Sequence, residues 1–415
     1  MSPGSSSNVL EARAVDRPRG EDAKMTDGKH RLRIGFIPLV DAAALIVAVD
    51  KGFAKAEGLD VELVPEVSWS NLRDKLNLGL LDAAHLMAPI AIASSLGLGH
   101  VKVPIVAAFN LGQNGNAISV GNDLHKALSD HAHGDLADPK VSARALADVV
   151  AERRRKGREP LNFGMTFPFS THNYQLRFWM AAGGVDPDQD LRLVVLPPPY
   201  MVESISSGHV DGFCVGAPWS SVAVDHGLAH ILHFSSDIVQ RAAEKVLAVR
   251  ASWAKEKPDL LRRLVRAHAK AADFVEDANN RDEASAILSA PNRVGVAAET
   301  IRRTLDGNLK ISPDGSARTS ERYLMIGRKG ASRPDPVQAA WLYAQMVRWG
   351  HAPLSNEMLS VSKAVFRPDL YDAILGKGAA LPAGEPADGI GAFVGPAFDP
   401  NDIRAHLSQW KIRRW

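Results

Sequence analysis

Several residues that can donate hydrogen bonds stand where strands of the sequence end, an arrangement that suits the binding of a small anion. Ser170 and Thr171 follow the apolar run 163–167 and precede residues with apolar side chains at helical spacing, so they can cap a helix. The free N–H groups and positive dipole end of such a helix attract anions, and His172 adds a donor in its first turn. The same pattern also fits an ordinary capped turn without a ligand.

Two further side chains are candidates to meet the same ligand from other parts of the chain. Trp69 stands at a loop–helix junction between Ser68 and Ser70, where an indole either fills the core or lines a cleft with its N–H free to donate. Lys245 lies in the apolar run 244–249 and can point a cation into a cleft, although a lone lysine is more often a solvated surface residue. No paired carboxylates, phosphate loop or catalytic triad accompanies these residues, so the sequence does not predict an enzyme.

Two more stretches could contact a ligand through their backbone, one in a loop and one at the end of a strand. The loop Pro197–Pro199, with Pro198 at its centre, presents carbonyls and ring faces because proline has no N–H to donate. Gly216 ends an apolar strand and allows close backbone approach where open α/β sheets bind their ligands. Cys214, in the same strand, has no basic partner nearby in sequence, and we interpret it as a packing residue.

The elements that must position these residues occur twice in the chain. Four features recur at one offset (for instance 164 − 35 = 129): Gly35 and Gly164, Gly79 and Gly208, Asp82 and Asp211, Pro89 and Pro218. This recurrence indicates two α/β halves of like wiring, in which parallel strands are joined by helical crossovers. Small ligands usually bind in the cleft between two such domains, so the repeat favours a ligand-binding protein.

We expect the chain to be organised in five segments. They are a disordered tail (1–30), the first part of lobe 1 (31–121), lobe 2 (122–244), a largely helical second part of lobe 1 (245–370) and a C-terminal wrap (371–415). The tail is polar, charged and without periodicity, which is typical of disorder. The strand at 117–120 should leave the first lobe, and the strand at 244–249 should cross back to it.

Composition excludes several classes of partner and site. The chain has 415 residues, 46% hydrophobic and 23% charged, which is enough for two domains with their own cores. A net charge of +2 indicates neither a nucleic-acid footprint nor a membrane patch. A single cysteine excludes an intrachain disulfide and a cysteine-based zinc cluster. The spacing of His125, His131 and His133 lacks a known ligand pattern, so we predict a solvated helical face there and no metal or cofactor.

Longer motifs carry a family resemblance over about residues 31–370. Stretches such as VSWSNLRDKLNLGLLDAAHL, NGNAISVGNDL, VLPPPYMV and EKVLAVRASW resemble the nitrate/bicarbonate substrate-binding proteins of ABC transporters. The resemblance implies an α/β fold, the two-lobed periplasmic-binding-protein fold of type II, with the ligand between the lobes. It also implies ligand contacts from Trp69, Asn116, His172, the Pro197–Pro199 loop and Lys245. Asn116 stands where glutamine is usual, and Asn173 follows His172 where aspartate is usual.

The resemblance also indicates a ligand, a location and a partner. Lys245 favours nitrate or nitrite over bicarbonate held with calcium, because a calcium ion needs oxygen ligands whereas a lysine pairs with a monoanion. Since the tail lacks the apolar run of an export signal, we expect a cytoplasmic protein. Within the family the chain most resembles the cytoplasmic nitrate/nitrite sensors called NasS. That resemblance implies an RNA-binding antiterminator partner with an ANTAR domain (NasT), held inactive until the ligand closes the lobes and releases it, which permits nitrate-assimilation genes to be expressed.

Two other functions fit the same sequence. The first is the solute-binding component of an ABC transporter for nitrate or a related anion. The second is an enzyme like the thiamin-pyrimidine synthases, which share the architecture but use a histidine-rich site that the scattered histidines here do not form.

Overall fold

The structure is a computed structural model that describes residues 30–376 and 384–415. The tail predicted for residues 1–30 therefore lies, apart from residue 30, outside the described residues. The strands are β1 (His30–Phe36), β2 (Leu59–Pro65), β3 (Ala83–Met87), β4 (Ile105–Asn114), β5 (Asn116–Gly121), β6 (Asn162–Met165), β7 (Arg192–Val195), β8 (Gly212–Gly216), β9 (Ala229–Phe234), β10 (Ala243–Arg250), β11 (Asn308–Lys310), β12 (Ala317–Thr319) and β13 (Leu324–Met325).

Helices join most of these strands and make up most of the second half of the chain. They are α1 (Ala43–Asp50), α2 (Phe53–Ala56), α3 (Trp69–Asn77), α4 (Ala88–Leu96), α5 (Asn122–His131), α6 (Pro139–Arg155), α7 (Thr171–Ala182), α8 (Tyr200–Ser206), α9 (Trp219–Asp225), α10 (Ser235–Ile238), α11 (Ala251–Glu256), α12 (Pro258–Glu276), α13 (Arg281–Leu288), α14 (Ala298–Asp306), α15 (Pro336–Arg348), α16 (Asn356–Val365), α17 (Pro368–Leu375) and α18 (Ile403–Ser408). Among the described residues, no helix has the length and apolar character needed to cross a membrane.

The first sheet has six strands in the order β13-β4-β10-β3-β1-β2 and is covered by helices on both faces. β1 runs parallel to β2 and β3, whereas β10 runs antiparallel to β3 and β4. Val246 and Ala248 of β10 pack into the cluster that includes α3 and α4. Leu247 and Val249, on the opposite face, pack into the cluster that includes α1 and α12. This burial of alternate residues on both sides explains why β10 is apolar along most of its length.

The second sheet, in the order β7-β6-β8-β5-β9, repeats the wiring of the first. In both sheets three parallel strands are followed by one antiparallel strand that arrives from the other half: β10 in the first and β5 in the second. β3 and β8, at 83–87 and 212–216, are separated by the offset found in the sequence. The prediction of two α/β lobes of like wiring is therefore confirmed.

One predicted boundary is wrong. We placed residues 117–121 in lobe 1 and began lobe 2 at Asn122, but β5 pairs with β8 and β9 and belongs to the second sheet. The chain changes sheet earlier, where Asn114 (φ 61°) and Gly115 (φ 89°) take the left-handed backbone conformation. The polar run at residues 113–116 is thus the crossover itself, and the strand after it is already part of lobe 2.

The Asn114 side chain joins the two segments through which the chain passes from one lobe to the other. Its side-chain amide donates to the carbonyl oxygens of Gln240 and Arg322, each at 2.9 Å, and its Oδ1 accepts from the Ala242 N–H at 3.0 Å. Gln240 and Ala242 belong to the segment that returns from β9 to β10. Both connections between the lobes are therefore held by one buried side chain.

Replacing Asn114 by alanine should lower the free energy of unfolding by about 3 kcal/mol, because alanine tolerates the left-handed conformation poorly and three hydrogen bonds are lost. Urea denaturation measures the change. Asn122→Ala is the matched control, since that exposed amide makes a single side-chain bond, to Gly227 O at 3.0 Å. Equal losses in the two variants would show that Asn114 does not hold the crossovers.

The end of the chain packs across both halves. The Trp410 ring lies 5.1 Å from the Phe178 ring of α7, and the guanidinium of Arg348, at the end of α15, lies 4.2 Å from the Trp410 ring. The Arg414 N–H donates to Arg348 O at 2.7 Å. Part of the predicted wrap (371–415) falls at 377–383, outside the described residues; its described end covers α7, the helix that also reaches the cleft.

Candidate functional site

Lys245 stands at the centre of a buried charged cluster in the cleft between the lobes. Its side chain has no solvent exposure, and its Nζ lies 2.8 Å from Asp41 Oδ2 and 2.8 Å from Glu244 Oε1. In a regular strand Glu244 and Lys245 would point to opposite faces. The pairing of β10 with β4 shifts register on both sides of Lys245, and such irregularities re-aim side chains. The strand therefore places the Glu244 carboxylate and the Lys245 ammonium next to each other.

Asp41 and His85 complete the cluster from lobe 1. Asp41 lies in a one-turn 3₁₀ helix directly after β1, and His85 lies in the middle of β3. His85 Nε2 donates to Asp41 Oδ1 at 2.9 Å, and both side chains are buried. Asp41 is thus held by a cation on one oxygen and by an imidazole on the other.

Trp69 begins α3 and lies over the cluster. Ser68 caps this helix, because its Oγ accepts from the Asn71 N–H at 3.1 Å. The Lys245 ammonium is 5.3 Å from the centroid of the Trp69 ring, within range of a cation–π interaction, and the His85 ring is 6.0 Å away. The indole is only 2% exposed, and its Nε1 finds no acceptor among the described residues.

Lobe 2 contributes the first turns of α7. As predicted, Ser170 caps this helix, with its Oγ accepting from the Asn173 N–H at 3.0 Å. His172 is fully buried, with its Nδ1 3.6 Å from Glu244 Oε1 and 3.2 Å from Thr166 Oγ1. The other ring nitrogen, Nε2, makes no hydrogen bond among the described residues.

Asn116 and Gly216 lie opposite each other in neighbouring strands of lobe 2. They form a register pair between β5 and β8, and a Cβ on Gly216 would come within 3.5 Å of both Asn116 Oδ1 and Leu39 Cδ1. The Asn116 amide donates to Gln175 Oε1 at 3.4 Å and approaches Thr171 Oγ1 at 3.5 Å. Gln175 Nε2 again has no acceptor among the described residues.

Burial and neighbouring charges set the protonation of the carboxylates. Burial opposes ionisation of Asp41, but Lys245 and His85 outweigh it and hold the pKa of Asp41 below its usual value. Burial also disfavours the charged form of Lys245, yet Asp41 and Glu244 raise its pKa above the usual value. The pKa of Glu244 is raised, chiefly by burial, although Lys245 opposes the change. Glu244 is therefore the carboxyl of the pair that takes a proton more readily.

Both imidazoles of the cluster are neutral at pH 7. Burial lowers the pKa of His172 well below its ordinary value, and Lys245 lowers it further. Burial also lowers the pKa of His85, although the charge of Asp41 opposes the change. A neutral imidazole can accept on one nitrogen and donate from the other, so each ring can relay a hydrogen bond into the cleft.

The structure brings together most of the residues singled out in the sequence. Trp69 contacts Lys245, and His172 reaches it through Glu244. Asn116 adjoins the first turns of α7, and Gly216 lies beside Asn116. Lys245 is fully buried, which excludes the alternative of a solvated surface lysine. No hydrogen bond or ion pair of the described residues joins Pro198 to this cluster; its carbonyl accepts from the Met201 N–H at the start of α8.

Sequence reasoning missed four residues of the cluster: Asp41, His85, Gln175 and Glu244. Two of them carried a signal, since His85 is the one polar residue in an otherwise apolar strand and Glu244 precedes Lys245 in a strand that is apolar beyond them. The histidines considered for a metal lie elsewhere: the His125 ring stacks on His230 at 3.7 Å. The described part of the chain contains no group of three or more potential metal ligands.

Two α/β lobes of like wiring with a buried polar cluster between them define the two-lobed periplasmic-binding-protein fold of type II. The chain belongs to the NMT1-like family, whose match spans residues 26–289. It is similar to the nitrate import ATP-binding protein NrtC of Synechocystis sp., with 33% identity over 392 residues that make up 93% of this chain. The matched region is 56% of NrtC, so this chain spans about half the length of that relative.

Two nitrate-binding proteins match over nearly their whole length. The nitrate/nitrite binding protein NrtA of Synechococcus elongatus is 29% identical over 423 residues, covering 99% of this chain and 93% of that protein. The crystal structure of the periplasmic nitrate-binding protein NrtA from Synechocystis PCC 6803 has a TM-score of 0.81 at 28% identity, covering 92% of this chain and 98% of that one. The predicted fold and the resemblance to nitrate/bicarbonate-type substrate-binding proteins are confirmed.

Proposed function

We propose that this protein binds nitrate or nitrite between its lobes and serves as the solute-binding component of an ABC transporter. The observation that carries the proposal is Lys245, a fully buried ammonium in the cleft, surrounded by side-chain nitrogens that make no hydrogen bond among the described residues. Trp69 Nε1 comes from lobe 1, and His172 Nε2 and Gln175 Nε2 come from lobe 2. Because buried donors without acceptors are costly, a small anion with several acceptor oxygens stabilises the closed arrangement.

The relatives support the transporter role, since NrtA is named a nitrate/nitrite binding protein and NrtC a nitrate import ATP-binding protein. The sensor role, the cytoplasmic location and the antiterminator partner rest on the sequence resemblance alone and stay predictions. Both roles require the same first step. The anion must bind one arrangement of the lobes more tightly than the other, and it thereby shifts the protein towards that arrangement.

Titration calorimetry of the full chain with nitrate, nitrite and bicarbonate tests the proposal. We expect one equivalent of nitrate or nitrite to bind, and no heat from bicarbonate with or without calcium, because the Lys245 ammonium already pairs with both carboxylates of the cluster and would repel a calcium ion beside them. Binding of bicarbonate and calcium without nitrate or nitrite would contradict it.

A further inference from the structure

The buried cluster has more negative than positive charge. Lys245 is the single cation in contact with Asp41 and Glu244, and the two neighbouring imidazoles are neutral. With both carboxylates ionised, the group formed by these three side chains has a net charge of −1. All three are buried, so solvent does little to screen that charge.

A bound monoanion would bring a second uncompensated negative charge into the same enclosed space. Like charges at short range disfavour the ionised form of a titratable group, and burial does the same. The closed and loaded site therefore needs either another cation or a proton. No further lysine or arginine forms an ion pair with these carboxylates among the described residues.

The two carboxylates differ in how well they are satisfied. Each oxygen of Asp41 lies against a partner: Oδ1 accepts a hydrogen bond from His85, and Oδ2 is 2.8 Å from the Lys245 ammonium, although that contact is an ion pair without a hydrogen bond. Glu244 Oε1 accepts from Lys245, whereas its buried Oε2 has neither an ion pair nor a well-formed hydrogen bond among the described residues. The charge that is easiest to neutralise is therefore on Glu244.

Charged and titratable groups face Glu244 from several neighbouring elements. The first strand contributes Asp41 through the turn that follows it, α7 contributes His172, and β10 itself contributes Lys245. β8 contributes Cys214, a buried thiol whose pKa is raised by burial and by Glu244, and β5 contributes the neutral amide of Asn116. His85 and the Tyr323 hydroxyl, whose pKa is raised by burial, act on the cluster through Asp41.

We propose that the cleft binds its anion together with one proton, and that the proton resides on Glu244. This inference rests on the proposed function. The proton comes from solvent and adds to a carboxylate oxygen, so the group of three side chains becomes neutral before the anion is counted. The new O–H also becomes a donor in a site that must satisfy the oxygens of the anion.

The sign of the pH dependence follows from the two lobe arrangements. Burial raises the pKa of Glu244 in this structure, and an opening of the lobes that admits water to the carboxyl would return its pKa towards the ordinary value. A group whose pKa is raised on closure favours the closed form at low pH, and that advantage is lost as pH rises through the raised pKa. Affinity for nitrate should be flat at low pH and then fall by up to about tenfold per pH unit.

Calorimetry of the full chain with nitrate in phosphate and in Tris, between pH 6 and 9, measures the protons taken up per anion. For the wild type, uptake should be close to one proton at the lower end of this range, where the open-form carboxyl is already ionised, and should fall towards zero as pH rises through the raised pKa of the closed form. Glu244→Gln, which mimics the protonated acid, should bind nitrate with little uptake and a flat pH profile. Glu385→Gln is the matched control, because Glu385 is also a buried acid but pairs with Arg241 and Arg322 away from the cleft.

Each outcome is distinct. Nitrate binding by the wild type without proton uptake at any pH would overturn the inference and leave the proposed function standing. Uptake that persists in Glu244→Gln would overturn the assignment to Glu244. Absence of nitrate binding at every pH would refute the proposed function and this inference together. If Glu244→Gln does not fold, the wild-type uptake decides alone.

Discussion

Replacing Lys245 by alanine should weaken nitrate binding by at least about 100-fold and lower the free energy of unfolding by about 3–5 kcal/mol, because removal of one partner leaves buried charges unpaired. Two carboxylates depend on this ammonium, since Asp41 and Glu244 each lie 2.8 Å from its Nζ. The substitution therefore removes the cation that attracts the anion, while the Asp41 and Glu244 carboxylates that repel the anion remain. Calorimetry measures the affinity and urea denaturation measures the stability.

A double variant separates the two effects. Asp41→Asn combined with Lys245→Met removes one charge of each sign from the buried group and should recover most of the lost stability, but it should not recover nitrate affinity. Lys257→Ala is the matched control, because that lysine is exposed and lies 3.9 Å from Asp82, outside the cleft. Wild-type nitrate affinity in the double variant would show that Lys245 does not bind the anion.

Trp69→Phe should reduce nitrate affinity by about 10- to 100-fold, since a hydrogen bond to a charged group contributes about 1.5–3 kcal/mol. Phenylalanine keeps a ring over Lys245 and beside His85 but lacks the indole N–H. Stability should change much less than affinity, because Trp69 Nε1 has no partner among the described residues to lose. Calorimetry with nitrate measures the loss.

Trp253→Phe provides the comparison for that substitution. Trp253 is buried like Trp69, but its Nε1 donates to Asp82 Oδ1 at 2.9 Å, away from the cleft. This variant should lose stability and keep nitrate affinity. Equal affinity losses in the two variants would indicate a general effect on packing rather than a contact between the Trp69 indole and the ligand.

Local signals and the internal repeat were sufficient to predict most of the fold. The Ser170 cap of α7 depends on residues three apart, which the sequence displays directly. The recurrence of Gly79 and Asp82 at Gly208 and Asp211 revealed the common wiring of the two sheets. Such patterns are visible because they reflect either neighbouring residues or a duplicated arrangement.

The contacts within the site were harder to predict because they join residues far apart in the chain. Asp41 and His85 meet only when β1 and β3 lie side by side, and neither spacing nor periodicity indicates that pair. The register shift at Lys245, which brings Glu244 to the same point, depends on how β10 pairs with β4. The assignment of 117–121 to the wrong lobe has a similar cause, since an apolar strand does not show which sheet it joins.

The position of β10 has a consequence for how the chain folds during synthesis. This strand lies between β3 and β4 in the first sheet, yet it leaves the ribosome only after the whole of the second sheet has been made. A nascent chain that ends before Ala243 contains β3 and β4 but not β10, the strand that pairs with both. The backbone N–H and C=O groups of β3 and β4 that pair with β10 are then exposed. Such edges invite aggregation, so the first sheet is expected to be completed only after all strands of the second have been made.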